Sequence, residues 1–127
     1  MPLVRVSLPA DVTDTQVAAI GDAVHDALVH VFDVPPQDRF QVLTRHAPHE
    51  LVCTPEYLGI AHGARVVFVQ VTCNEGRGLE KKKALYARLA ATLQAAGGIA
   101  PADVIVSLVE VKKENWSFGN GLAQYAA

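Results

Sequence analysis

The sequence predicts an α+β fold, two β-α-β units in tandem that build a four-stranded mixed sheet with two helices on one face. Three observations carry this prediction. Slid against itself by 65 residues, the chain places Leu3–Leu8 over Phe68–Cys73, with Val4 and Val6 above Val69 and Val71. An apolar stripe with helical spacing recurs in each half, Ile20, Val24, Leu28 and Val31 falling on Leu85, Leu89, Leu93 and Ala96. Finally "DVPPQDRFQVL" (33–43) falls on "GIAPADVIVSL" (98–108), which matches Pro36 with Pro101 and Asp38 with Asp103.

Taken in order, the first strand opens at Pro2, a position where a missing N–H is tolerated, and runs through Leu8. Thr13 and Gln16, three residues apart, form a capping box that starts the first helix. Pro35 and Pro36 forbid its continuation, and the second strand follows them. A joining segment leads to the third strand at Phe68–Cys73, and "EKKK" (80–83) reads as the exposed first turn of the second helix. Gly98 suits the end of that helix, and Pro101 precedes the fourth strand. The whole chain, 1–127, reads as one domain, with halves at about 2–43 and 67–108 and a C-terminal segment at 112–127.

A helical crossover makes the two strands of a half parallel. A two-fold relation between halves then sets the strand pairs antiparallel, so that Pro2, Asp38 and "CNEGRG" (73–78) converge at one sheet edge. The helices cover one face and leave the other bare. With 50% hydrophobic and only 19% charged residues, the expected cover for that face is other copies of the chain.

Several function classes are set aside. Net charge is −2 with no basic stripe, which argues against a nucleic-acid partner. No apolar run approaches the ~18 residues of a membrane span, and the opening residues do not read as a signal peptide, so the expected address is cytoplasmic. Cys53 and Cys73 form no CxxC pair and are expected as reduced thiols. His46, His49, His62 and Cys53 lie scattered in the joining segment, so no metal site is expected. No phosphate-binding or dinucleotide-binding motif occurs, so no cofactor is expected either. His25 and His30 fall off the apolar stripe and read as solvated.

An N-terminal proline on a strand, a β-α-β repeat and Arg77 after the third strand together resemble the tautomerase superfamily. "FDVPPQDRFQV" (32–42) and "ENWSFGNGLAQY" (114–125) narrow the resemblance to malonate semialdehyde decarboxylases and their tautomerase relatives. The resemblance spans nearly the whole chain. It implies a homotrimer with Pro2 as the catalytic group once Met1 is removed, and Asp38 as the aspartate of the decarboxylase group. Arg77 matches one substrate-binding arginine of that pattern; the second is absent, and Asn74 is the candidate neutral donor in its stead.

The residues also have a chemistry of their own. A terminal α-amine titrates at roughly 7.7–8.0, close to neutrality. A nearby Arg77 cation would favour its neutral form, a general base that moves protons between carbon and oxygen. A nearby Asp38 carboxylate would favour the charged form, which polarises a carbonyl and lets a β-carboxylate leave as carbon dioxide. Arg77, held between glycines, can meet a substrate carboxylate bidentately. Asp38 reads equally as a turn cap. Trp116 and Phe118 read as a pocket wall or as interface packing. The single arginine favours a keto–enol tautomerase acting on small keto or enol carboxylates, with malonate semialdehyde decarboxylase or hydratase chemistry as the alternative. An oligomeric binding protein without catalysis is the alternative of another class.

Overall fold

The structure, a computed structural model, describes residues 1–126. Strand β1 (Pro2–Pro9) leads into helix α1 (Asp14–Phe32) and β2 (Gln41–His46). A joining segment follows, with a single 3-10 turn (Pro48–Glu50) and a small hairpin of β3 (Glu56–Tyr57) and β4 (Ile60–Ala61). The second unit is β5 (Val67–Asn74), α2 (Leu79–Gly97) and β6 (Val104–Val111). The main sheet has the order β2-β1-β5-β6, parallel within each unit and antiparallel between β1 and β5.

The repeat holds to the residue. β1 and β5 are offset by 65 positions, and so are both ends of the two helices. Hydrogen bonds repeat as well: Val34 N–H donates to Leu28 O and Ile99 N–H to Leu93 O, closing the two helices in the same way. Both helices end on a left-handed residue, Asp33 (φ 58°) in α1 and Gly98 (φ 66°) in α2. The predicted capping box is present, Gln16 N–H donating to Thr13 Oγ1 while the Gln16 side chain accepts from Thr13 N–H. α2 starts without a side-chain cap at Gly78.

Period-two alternation sends Val4, Val6 and Leu8 of β1 and Val67, Val69, Val71 and Cys73 of β5 toward the helices. There they meet Ile20, Val24 and Leu28 of α1 and Leu85, Leu89 and Leu93 of α2, all at most 1% exposed. Burial of each such side chain stabilises by about 1.5–3 kcal/mol. The opposite face carries Arg5, Val42, Gln70, Ser107 and Val109, all exposed. No element of the described residues packs against that face as a third layer.

One expectation is corrected. His25 is buried, at 7% exposure, because α1 packs on a second side against the 34–41 stretch that returns to the sheet. Counting apolar residues along one helical stripe misses a helix with two buried sides. The "EKKK" turn is largely exposed, although Lys81 pairs with Asp33 and Lys82 with Glu110, each at 2.7 Å.

Candidate functional site

The sheet register brings the separated candidates to one edge. Pro2 stands opposite Cys73 across the β1–β5 pair, and Val4 N–H donates to Phe40 O beside it. The β5 strand ends at Asn74, paired with Val111, the last residue of β6. Asp38, the loop after β5 that carries Arg77, and the C-terminal segment therefore lie at the same end of the sheet as the start of β1.

Asp38 is placed by a turn in which its own N–H donates to Pro35 O at 2.9 Å. Its carboxylate lies against the amino end of the chain, Oδ2 being 3.7 Å from the Met1 nitrogen. The Pro2 nitrogen is one residue further along the same extended strand, a step of ~3.3–3.6 Å. Oδ1 of Asp38 is buried and has no hydrogen-bond partner. A buried carboxylate oxygen without a partner is costly, and such groups mark places where a ligand or proton completes the set.

Arg77 is half-buried on the loop between β5 and α2. Gly76, at φ 125°, supplies the backbone turn that sets it there. Its Nη2 donates to Phe32 O at 3.1 Å and its Nη1 to Asn74 O at 3.3 Å, while the guanidinium lies 4.5 Å above the Phe32 ring. These contacts aim the side chain and leave further N–H groups of the fork available to an anion. The loop is braced by Lys82, whose hydrogen bond at 2.7 Å holds the Glu110 carboxyl below its ordinary range; the Gly76 backbone N–H acts in the same direction. Burial pushes the Cys73 thiol up, and the Arg77 cation opposes it.

Asn74 is oriented by Trp116, whose indole Nε1–H donates to Asn74 Oδ1 at 2.8 Å. That bond occupies the carbonyl side of the amide and leaves its NH₂ group as the free donor. The C-terminal segment then crosses the sheet end. Trp116 stacks on Phe118 at 5.5 Å, Phe118 meets Phe40 at 6.1 Å, and Tyr125 meets the Phe118 edge at 5.0 Å. Asn74 ends β5 and Phe40 precedes β2, so the segment spans the strand between them, which begins at Pro2. Phe40 and Tyr125 escaped sequence reasoning, although both belong to the stretches "QDRFQV" and "GLAQY".

A cavity of about 480 Å³ opens at this edge, lined by Asn74, Glu75, Val111, Lys112, Lys113 and Tyr125 among others. It shares Asn74 and Tyr125 with the cluster; Pro2, Asp38 and Arg77 do not line it. A second cavity of about 500 Å³ lies at the opposite sheet end, against Pro9, His46, Cys53 and Arg65. Among the described residues, no three or more His, Cys, Asp or Glu side chains are grouped to hold a metal.

Two family models, each described as tautomerase enzyme, match residues 38–119 and 2–60. The chain belongs to the tautomerase family. Among its relatives is the probable tautomerase YrdN of Bacillus subtilis, 37% identical over 98% of this chain and 96% of the relative. Among solved structures, the FG41 malonate semialdehyde decarboxylase inhibited by 3-bromopropiolate is 40% identical at a TM-score of 0.90, over 97% of this chain and 93% of that one. Another malonate semialdehyde decarboxylase, described with decarboxylase and hydratase activities, is 38% identical at 0.87, over 97% and 95%. This tautomerase-family enzyme thus falls with the malonate semialdehyde decarboxylase-like group. No helix among the described residues is long and apolar enough to cross a membrane.

Proposed function

We propose that this enzyme, with Met1 removed, uses the secondary amine of Pro2, without a cofactor, to decarboxylate a small 3-oxo acid such as malonate semialdehyde. The observation that carries the reading is Asp38: a carboxylate against the amino end of the chain, with one oxygen buried and unpartnered. Such a neighbour favours the charged form of an amine. The protonated Pro2 donates to the substrate's carbonyl oxygen and draws electron density toward it. Arg77 and the Asn74 amide hold the carboxylate out of the carbonyl plane. The bond between carboxylate and α-carbon then breaks and its electron pair forms an enolate, stabilised by Pro2. Carbon dioxide leaves with that cleavage; the α-carbon then takes a proton from the Pro2 ammonium, which solvent reprotonates, and the aldehyde is complete. Half-buried Trp116 and Phe118 limit water at the site and strengthen the charge interactions.

Keto–enol tautomerisation is the second reading. It is favoured by the single arginine of the Asn74–Arg77 loop, since one anchor and a neutral amine suffice for it. Similarity to probable tautomerases fits it equally. We also infer that the chain is one domain assembled as a homotrimer through its bare sheet face; a fused 4-OT 28% identical to it is described as a symmetric trimer.

The test is the titration of the Pro2 amine, followed by labelled-proline NMR in protein lacking Met1, together with carbon dioxide release from malonate semialdehyde. A pKa clearly above about 8, the top of the ordinary α-amine range, with carbon dioxide formed, is the expected result. A value below it, with enol–keto turnover instead, selects the tautomerase. A chain that keeps Met1 in vivo has an amide at Pro2 and supports the non-catalytic binding protein.

A further inference from the structure

We propose that His25 is a positioning residue, the side chain that fixes the Asp38 carboxylate against the amino end of the chain. The inference rests on the reading of Asp38 given above and concerns how that carboxylate is held.

His25 sits on α1 at 7% exposure, and its Nε2 is 2.6 Å from the carbonyl oxygen of Pro36. A carbonyl only accepts, so the imidazole carries a proton on Nε2. Pro36 lies inside the turn that Asp38 closes with its N–H on Pro35 O. The imidazole therefore holds the middle of the turn that carries the carboxylate. The neighbouring turn of α1 holds the flanking residues: Gln41 Nε2 donates to Gly21 O at 2.8 Å, and Arg39 pairs with Asp22 at 2.9 Å. The Arg39 pair is largely exposed and worth little. The His25 bond is short and part-buried, and the imidazole itself is buried, so breaking the bond leaves a buried ring N–H unsatisfied.

The other half of the molecule supplies the control. Its turn, closed by Asp103 N–H on Ala100 O, has the same form. Its helix carries Ala90 at the position equivalent to His25, with no side chain to reach the turn. There Asp103 itself is tied down, accepting the Gly63 N–H at 2.6 Å. A carboxylate that serves as a staple fixes its own turn. One left unpartnered for chemistry needs the turn fixed by another group, and His25 is that group. Displacement of a reacting group by about 1 Å costs up to ~10²-fold in rate.

The experiment uses the full chain lacking Met1, with malonate semialdehyde as probe, and compares His25→Leu, His25→Asn, His25→Gln and Asp38→Asn. Glutamine places an amide N–H near the Nε2 position; asparagine stops short of it. His25→Leu and His25→Asn are expected to lower kcat roughly ten- to a hundredfold with KM little changed. Both should move the Pro2 amine pKa toward its value in Asp38→Asn, and His25→Gln should restore kcat and pKa together. His25→Asn keeps a polar side chain, so it carries the test if the leucine variant does not fold. Normal kcat and pKa in the His25 variants, with Asp38→Asn impaired, overturn the positioning role alone. A loss that glutamine does not relieve, with the pKa unmoved, makes His25 a packing residue. An Asp38→Asn enzyme that is unimpaired overturns the reading of the site itself.

Discussion

Asp38 and Asp103 occupy equivalent places in the two β-α-β units, each donating its backbone N–H to a carbonyl three residues earlier at 2.9 Å. Their side chains have opposite fates. Asp103 is 7% exposed and accepts the Gly63 N–H at 2.6 Å, so it binds the joining segment to the second unit. A Cβ on Gly63 would lie 2.9 Å from Asp103 Oδ2, so the approach leaves little room for a side chain. Asp38 keeps one buried oxygen without a partner and faces the start of β1. The loops differ in the same sense. Arg77 follows β5, whereas Val12, its counterpart after β1, is buried in the core. Under Arg77 lies the Phe32 ring, whose counterpart in the other unit is Gly97, packed close to Ile20. The two units share one frame, and the side chains differ at one end, where the first unit leaves a carboxylate oxygen unpartnered and the second supports a cation on an aromatic ring.

The largest expected effect is at Pro2, which opens β1 and which the proposed mechanism makes the reacting amine. Pro2→Ala in protein lacking Met1 should lose ~10²–10⁴-fold in kcat/KM, the scale of a lost proton-transfer group, while circular dichroism stays native. Wild-type rates would reduce Pro2 to a strand opener. Next come the two aspartates, in opposite directions. Asp38→Ala should cost roughly 10²-fold in kcat with Tm nearly unchanged, because that carboxylate gives up no close hydrogen bond. Asp103→Ala should leave kcat alone and destabilise by about 1–3 kcal/mol through the orphaned Gly63 N–H, read by urea denaturation. Equal behaviour of the two variants would erase the distinction between the units.

Arg77→Ala should raise KM for carboxylate substrates about ten- to a hundredfold, matching a charge-assisted hydrogen bond of roughly 1.5–3 kcal/mol. The variant should also lose discrimination between an acid and its methyl ester. Phe32→Leu removes the ring beneath the guanidinium, a contact worth about 0.5–1 kcal/mol, and should raise KM a few-fold; no change would mean that the backbone bonds to Phe32 and Asn74 suffice. The smallest effect concerns the thiols. Cys73, buried and with its pKa raised by that burial, is poor in thiolate at pH 8. Iodoacetamide followed by peptide mass analysis should therefore label half-buried Cys53 first.

Much of this was legible in the chain because the repeat writes itself in apolar spacing: Val4 over Val69 and Ile20 over Leu85 are core positions whose burial depends on period alone. That Pro2, Asp38 and the 73–78 stretch lie at one end of the sheet followed from strand direction. What escaped has a common cause in contacts that period does not encode. His25 is buried by the returning 34–41 stretch, which no helical stripe reports. The β3–β4 hairpin has strands of two residues each, too short for alternation to register. Phe40 and Tyr125 join the site through Phe118, by a path across the sheet that composition cannot trace. The orientation of the Asn74 amide depended on one indole proton.

The C-terminal crossing bears on the order of folding. The bond between Trp116 and Asn74 closes a loop across 42 positions, and the Phe118–Phe40 contact closes a longer one. Each such closure carries an entropy cost that grows with loop length, and contacts distant in sequence tend to form late. The aromatic wall rests on half-buried Trp116 and Phe118 and exposed Phe40 and Tyr125, all outside the main core cluster. It therefore belongs to the part of the molecule expected to open at low free energy while both helices stay folded. Hydrogen exchange should find the 116–125 amides unprotected long before those of β1 and β5, and substrate would enter through the fraying of the last-formed layer, without a dedicated lid.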